Sequence, residues 1–291
     1  SCQACCHGIT GLTLAADPRP RPRLRVNPRR WSAWVRSLPV ESNGHPASLR
    51  VGVIGAGRVG AVLGAALARA GHRVTGVYAV SEDSRARATD LLPDAPVADI
   101  PTVIAGTDLV LLAVPDDALA HLVAGLAATG TWEAGQIVAH TSGRHGASVL
   151  DPVLDAHALP MALHPAMTFT GTLMDVDRLR DCAFGVTAPD PLREMAMALV
   201  LDMGGTPVWI AEADRVTYHA ALAHGANHLV TLIAEAAQVL RAAGVAQTAD
   251  VLGPLVRAAL DNALRLGDAA LTGPVARADV GTVEQIGRAH V

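Results

Sequence analysis

The sequence predicts an α/β fold, with a mainly parallel sheet followed by a smaller all-α C-terminal domain. Between residues 49 and 210, apolar β-branched segments of strand length alternate with helical segments, which is typical of a parallel sheet covered on both faces. After Ile210 the strand pattern stops and long helical segments follow. A chain of 291 residues is long enough for both parts.

The individual elements follow from local signals along the chain. A strand is predicted over 49–54, then a glycine turn and a helix of about 58–70 that ends at Gly71. Further strands are predicted at 73–81, 108–115, 136–142, 161–169, 182–188 and 206–210. In the C-terminal part, a helix is expected over 213–243 and is closed by Gly244. A second helix is expected over 248–266, with Thr248 as its N-cap and Gly267 at its end, and a last partial helix follows.

These elements divide the chain into four segments. Residues 1–48 contain the run DPRPRPRLRVNPRRW, so they are expected to be a disordered extension, because proline interrupts helices and sheet ladders alike. A nucleotide-binding domain is expected over 49–211 and a helical domain over 212–285. The final IGRAHV, 286–291, resembles a translated sequencing adapter and is expected to be an artefactual tail.

Composition excludes several classes of function. The chain contains no lysine, so all 23 basic residues are arginine and no ε-amino group is present to act as acid, base or Schiff-base former. A net charge of −4 gives no reason to expect a nucleic-acid partner. No apolar run is long enough to predict a membrane span. Because three of the four cysteines crowd at the N-terminus, paired cysteines are not expected in the body, which favours a cytoplasmic location.

Gly55, Gly57 and Gly60 form a G-x-G-x-x-G motif between the first strand and the first helix. The first glycine permits a tight turn, the second lets a pyrophosphate approach the backbone, and the third lets the helix pack closely on the sheet. Arg58 and Val59 complete the helix N-terminus, which favours phosphate charge. The motif therefore predicts a Rossmann-type dinucleotide site.

The residues after the second strand indicate which dinucleotide binds. Ser81 ends that strand and Arg85 follows it, and a hydroxyl near an arginine suits the 2′-phosphate of NADP. Glu82 or Asp83 could instead hold the ribose hydroxyls of NAD, so NAD remains an alternative.

Two other strand ends contribute candidates at the same edge of the sheet. Val114 and Pro115 lie at the end of the third strand, and Thr141 and Ser142 at the end of the fourth, where ligands bind in open α/β folds. Thr141 is expected to bind the nicotinamide ribose and Ser142 a substrate carboxylate. The alternative is that these residues only serve turn geometry.

His164 lies directly before Pro165, so it is expected at a strand end rather than in a helix. A histidine beside the cofactor can donate a proton to a carbonyl. A purely structural histidine is the alternative.

The ordered motifs GAGRVG, LLAVPDD, HTSG, LHPAMTFTG, YHAALAHGAN and LTGPVAR together resemble the Rossmann-like, DUF2520 domain-containing proteins over about 49–285. These are related to the superfamily of β-hydroxyacid dehydrogenases and F420-dependent NADP oxidoreductases. The resemblance implies an NADP-binding fold, a helical domain that forms a homodimer, and an oxidoreductase acting on a small molecule. It does not define a substrate.

The same superfamily raises the question of the proton donor. Its β-hydroxyacid dehydrogenases carry K-x-x-x-N on the first helix after the sheet, with lysine as the acid. Here Asn227 matches the asparagine, but Ala223 replaces the lysine. We therefore expect His219 or His164 to handle the proton, with Asn227 facing the same cleft as His219. A different reaction, or NADP binding without turnover, are the alternatives.

His224, His228 and Arg277 are three further candidate site residues in the helical part. His224 and His228 have the spacing of metal ligands, but HGANH lacks the glutamate of H-E-x-x-H and no third ligand is indicated. We expect no metal and assign both to the core or a dimer interface. Arg277 can bind a substrate carboxylate or can be a solvated helix-end arginine.

The sequence thus predicts an NADP-dependent oxidoreductase that transfers a hydride to or from a small carbonyl, imine or hydroxy acid. The alternative is a non-catalytic sensor or scaffold protein that binds NADP.

Overall fold

The computed structural model describes residues 48–274 and 276–289. The described chain forms two compact units, one reaching to Tyr218 and the other beginning at His219. The predictions for residues 1–47 and 290–291 lie outside the described residues. No helix of the described part is both long and apolar enough to cross a membrane.

The first unit is built on one sheet of seven strands. The strands are β1 (Arg50–Ile54), β2 (Arg73–Tyr78), β3 (Leu109–Leu112), β4 (Ile137–His140), β5 (Leu159–Pro165), β6 (Ala183–Thr187) and β7 (Thr206–Trp209). Their spatial order is β2-β1-β3-β4-β5-β6-β7. Every neighbouring pair is parallel except β5 and β6, which are antiparallel. The predicted α/β class with a mainly parallel sheet is confirmed.

Helices cover both faces of this sheet. They are α1 (Arg58–Arg69), α2 (Glu82–Leu91), α3 (Ile100–Ile104), α4 (Asp116–Ala128), α5 (Leu173–Arg178) and α6 (Arg193–Asp202), with a 3-10 segment at Ala147–Ala156. One apolar core lies under α1, α2 and α6, and a second lies under α3, α4 and the 3-10 segment. This arrangement explains why the strands read as continuous apolar runs.

The strand order creates a crevice at the carboxyl end of β1. The chain passes from β1 to β2 on one side and returns to β3 on the other side of β1. Open α/β sheets bind ligands at such a reversal. The glycine turn after β1 lies at this point.

The second unit is helical. Helix α7 (Arg215–Ala242) begins in the first unit and continues into the second, where α8 (Thr248–Leu266) and α9 (Val280–Ala289) follow. Gly244 and Gly267 have positive φ angles of 87° and 58° and end their helices as predicted. Gln247, rather than Thr248, is the capping residue of α8, because Thr248 is already helical.

Candidate functional site

The glycine turn packs α1 against β1 and β3 without room for side chains. Gly55 has a φ of +101°, and a Cβ there would lie 2.5 Å from the Ala113 carbonyl oxygen. A Cβ on Gly60 would collide with the Gly55 carbonyl and lie 2.8 Å from Ala113 Cβ. At Gly57, by contrast, nothing lies within 4 Å. Close packing at two glycines and open space at the middle one is the geometry that lets a pyrophosphate reach the backbone.

The N-terminus of α1 faces the same crevice. Gly57 is the N-cap residue of α1 and has no side chain that could cap the helix. The first turn contains no acidic residue, so its N–H groups are available to an anion. Val59 is half-buried and Arg58 is exposed. The N–H groups of Gly55 and Ala56 donate to the Tyr78 carbonyl at 3.0 and 3.2 Å, which fixes the turn to the end of β2.

The residues predicted to select the dinucleotide lie at the start of α2. Ser81 caps this helix, with Oγ accepting the Ser84 N–H at 3.2 Å. Arg85 is exposed, and its Nε donates to the Ala79 carbonyl at 3.4 Å. Both residues therefore lie at the carboxyl end of β2, beside the glycine turn.

Arg87, a second arginine of α2, lies close to Gly171 in the loop after β5. This loop was not among the predicted site elements. A Cβ on Gly171 would lie 3.0 Å from Arg58 Cγ and also 3.0 Å from Arg87 Cδ. The buried Asp175 carboxylate accepts the N–H groups of Thr170 and Gly171, both at 2.7 Å. These hydrogen bonds hold the pKa of Asp175 below its usual range despite burial. The loop thus brings two arginines together at one point.

The ends of β3 and β4 are tied to each other. Pro115 caps α4 and Val114 is half-buried. The Thr141 N–H donates to the Leu112 carbonyl at 3.1 Å, which keeps Thr141 at the same edge of the sheet. Arg144, in the turn after β4, pairs with Asp117 of α4 at 3.3 Å.

Ser142 serves the turn after β4. It is buried, and its Oγ accepts the His145 N–H at 3.1 Å. Its own N–H donates to Nδ1 of the fully buried His140 at 3.2 Å, while His140 Nε2 lies 2.8 Å from the Gly146 carbonyl. We assign the imidazole as neutral with the proton on Nε2, since burial lowers the pKa of His140 to about 4. The turn geometry left open as an alternative for Ser142 is therefore present.

His164 belongs to a pair of polar side chains near the carboxyl end of β5. Its Nδ1 lies 3.0 Å from the hydroxyl of Tyr218, and the two rings meet edge to face. Both residues are half-buried. Across the antiparallel pair, His164 faces Gly185, where a Cβ would lie 2.5 Å from the Tyr218 hydroxyl. The missing side chain of Gly185 therefore makes the space that the tyrosine fills.

A buried cation lies one helical turn from Tyr218. Arg215 is 1% exposed and donates to the Thr187 hydroxyl at 2.7 Å and to the carbonyls of Gly185 and Ala162 at 3.0 and 3.2 Å. Its Nη1 makes no hydrogen bond to any described residue. Burial lowers the pKa of Arg215 to about 10, so the guanidinium stays charged at neutral pH. Neither Tyr218 nor Arg215 was selected from the sequence.

The remaining predicted site residues belong to the helical unit. His219 is half-buried, whereas Asn227 and Arg277 are exposed. His228 Nδ1 lies 2.9 Å from the His224 carbonyl, and the two rings are 4.1 Å apart. Among the described residues, no group of three or more metal-ligating side chains contains this pair.

Two family models match the chain. Residues 36–165 match a Rossmann-like domain, and residues 182–290 match a domain of unknown function, DUF2520. None of the curated proteins matches the sequence significantly.

Several solved structures share the fold. BF3122 from Bacteroides fragilis, provisionally assigned as an NADP oxidoreductase, aligns over 83% of this chain and 90% of its own, with 22% identity and a TM-score of 0.66. An imine reductase from a Pseudomonas species covers 84% of this chain and 88% of its own, at 18% identity and a TM-score of 0.59. A pyrroline-5-carboxylate reductase from Coxiella burnetii covers 84% and 95%, at 16% identity and a TM-score of 0.57.

The two domain matches follow one another along the chain and agree with the sheet, the glycine turn and the C-terminal helices described above. The chain therefore combines a Rossmann-like domain with a DUF2520 domain.

Proposed function

We propose that the protein is an NADP-dependent oxidoreductase that transfers a hydride to or from a small carbonyl, imine or hydroxy-acid substrate. The observation that carries this proposal is the packing of the glycine turn, which is closed at Gly55 and Gly60 and open at Gly57. The names of the aligned proteins support it, since they include an imine reductase and a pyrroline-5-carboxylate reductase.

In this proposal the turn and the start of α1 hold the pyrophosphate, through the N–H groups of Arg58, Val59 and Gly60. Ser81 and Arg85 bind the 2′-phosphate at the end of β2. The arginine is the stronger argument for NADP, because the Ser81 hydroxyl already caps α2.

The other half of the dinucleotide is assigned to the ends of β3 and β4, where Val114, Pro115 and Thr141 lie at one edge of the sheet. NADPH, when bound, supplies the hydride. His164 lies at the corresponding end of β5, and either this residue or His219 of the helical unit is proposed to act in proton transfer. Asn227 is proposed to line the reacting centre. Ser142 and Arg277 remain candidates for binding a substrate carboxylate.

We also propose that the protein forms a homodimer through its helical unit. Large apolar side chains of this unit are exposed, among them Val230, Leu232, Leu255 and Leu264, the last at 79%. A helical unit that leaves this many large apolar side chains exposed is expected to bury part of them against a partner. Sedimentation equilibrium should give twice the chain mass, and a monomer at micromolar concentration would contradict the proposal.

The proposed compartment is the cytoplasm, since Cys182, in the described part of the chain, is a free and buried thiol. The proposed domain division after residue 211 falls a few residues before the boundary of the two compact units.

A sensor or scaffold that binds NADP without turnover is the second candidate, because Ala223 occupies the position at which related dehydrogenases have the lysine that donates the proton. Fluorescence titration with NADPH and NADH tests the cofactor assignment, and we expect NADPH to bind about tenfold or more tightly. Oxidation of NADPH with a panel of small ketones, keto acids and cyclic imines then separates the candidates. Tight NADPH binding with no oxidation across the panel would favour the sensor.

A further inference from the structure

We propose that Tyr218 is the proton donor of the reaction, that His164 returns a proton to it, and that Arg215 positions the pair and stabilises the phenolate. This inference rests on the proposed oxidoreductase function. It assigns to the first unit a proton source that does not require a lysine.

Tyr218 and His164 are in direct contact. The Tyr218 hydroxyl and His164 Nδ1 are 3.0 Å apart, which is a good hydrogen-bond distance. When Nδ1–H donates to the phenol oxygen, the phenol proton is free to point at a substrate. Both side chains are half-buried rather than enclosed, so a small molecule can reach them.

The fold leaves a space for the phenol ring over the strands. Gly185 of β6 leaves the space above β5 and β6 in which Tyr218 lies, and any side chain there would displace the hydroxyl. Glycine inside a strand weakens the strand and often marks a close approach by another group. The approaching group here is the tyrosine hydroxyl, near the carboxyl end of β5 and at the same edge of the sheet as the glycine turn.

A buried positive charge lies near the phenol. Arg215 lies one turn before Tyr218 on the same helix face, with its guanidinium carbon 5.8 Å from the tyrosine ring. Burial raises the pKa of Tyr218, while the Arg215 cation opposes that rise, so the phenol is protonated at neutral pH and Arg215 offsets part of the cost of forming its phenolate. Cys182 also lies near, but burial raises the pKa of its thiol to about 11 and leaves it neutral. Glu212 acts on Arg215 and supports its charge.

The step balances with NADPH as the reductant. Hydride transfer to the carbon of a C=O or C=N bond places an electron pair on the oxygen or nitrogen. Tyr218 O–H breaks and its proton forms the new O–H or N–H bond of the product. The Tyr218 phenolate then takes the proton of His164 Nδ1–H as Nε2 of the same ring takes a proton from solvent, so the imidazole stays neutral, and proton exchange with solvent restores the Nδ1–H tautomer. Tyr218 is thus the catalytic residue, and Arg215 is a positioning residue.

Tyr218→Phe is the direct test, because it keeps the ring above Gly185 and removes only the hydroxyl. With a panel substrate that the wild-type protein reduces, we expect kcat to fall about 100-fold or more, with the dissociation constant for NADPH unchanged. Thr217→Ala is the matched control, since Thr217 is exposed on the same turn of α7 and should leave kcat unchanged. If Tyr218→Phe does not fold, Gly185→Ala replaces it, because it displaces the hydroxyl without removing it.

A second readout separates proton transfer from a structural role. The chain contains two tyrosines, so tyrosine labelled with carbon-13 at Cζ gives two signals, and Tyr218→Phe assigns them. We expect His164→Asn to move the titration midpoint of the Tyr218 signal but not that of Tyr78. The same variant should lower kcat and change the pH profile of the reduction.

Four outcomes decide the inference. A large loss of kcat in Tyr218→Phe together with a shifted Tyr218 titration in His164→Asn supports it. Wild-type turnover that persists within threefold in Tyr218→Phe overturns it while leaving the proposed function intact. A Tyr218 titration that ignores His164 also overturns it. Wild-type protein that binds NADPH but reduces nothing overturns the oxidoreductase function, and the role of Tyr218 falls with it.

Discussion

Acid sensitivity of the folded protein should depend on His140. This imidazole is fully buried in the first unit and its pKa is lowered from 6.5 to about 4, mainly by burial. As pH falls below 6.5 the unfolded chain takes up a proton at this residue, whereas the folded chain does not until about pH 4. The free energy of unfolding therefore decreases between these two pH values and levels off below the lower one.

The size of this effect follows from the shift. Each pKa unit corresponds to about 1.4 kcal/mol, so the full loss of unfolding free energy is at most about 3.5 kcal/mol, with about 2 kcal/mol reached at about pH 5. The loss matters for function because His140 holds the turn after β4, through its contacts with the Ser142 N–H and the Gly146 carbonyl.

The assay is urea unfolding followed by the fluorescence of the buried Trp132 and the other tryptophans, at about pH 7.5 and about pH 5. His140→Gln keeps an N–H for the Gly146 carbonyl but cannot titrate, so it should lose about 2 kcal/mol less than wild type over this interval. His121→Gln is the matched control, because His121 is exposed on α4 and should follow wild type. An equal loss in His140→Gln and wild type would refute the reasoning.

Three other predictions address the cofactor and the phenol. Gly57→Ala should fold normally, because nothing lies within 4 Å of its new methyl group, yet weaken NADPH binding about tenfold or more; Gly60→Ala should lower the urea midpoint as well, because its Cβ collides with the backbone. Arg85→Gln should reduce the NADPH-to-NADH affinity ratio about tenfold in parallel titrations, and an unchanged ratio would remove Arg85 from the 2′-phosphate site. Arg215→Met should raise the pKa of Tyr218 in an ultraviolet titration, because it removes the cation that opposes the effect of burial, and a lowered or unchanged pKa would contradict the charge argument.

Features encoded locally were predictable from the sequence. The glycine turn, the start of α1 and the glycine ends of α7 and α8 agree with the structure because glycine spacing and helix periodicity are properties of neighbouring residues. The antiparallel direction of β6 was not predictable in this way. An apolar strand buried on both faces has the same composition in either direction, and the direction depends on the connection through α5.

The contact between His164 and Tyr218 could not be predicted from the sequence. The two residues are 54 positions apart, and sequence reasoning selected the histidine next to the tyrosine, His219, because imidazole is the commoner acid and base. A usable signal was present in CAFGVTA, where Gly185 interrupts a strand. A glycine inside a strand predicts the close approach of another group, although it does not say which group approaches.

Because the chain contains no lysine, other side chains must supply the positive charge and the proton. A lysine acid supplies a positive charge and a transferable proton on one nitrogen, whereas arginine keeps its proton at any physiological pH. In this chain the two properties are separated along one turn of α7. Arg215 supplies the buried charge, held by Thr187 and two strand carbonyls, and Tyr218 supplies the proton. Arg215 cannot donate the proton and Tyr218 carries no positive charge, so the reaction needs both residues. A lysine introduced at Ala223 should therefore not restore the activity of Tyr218→Phe. Rescue at that position would show that an ammonium group of the helical unit can take over the proton transfer from Tyr218.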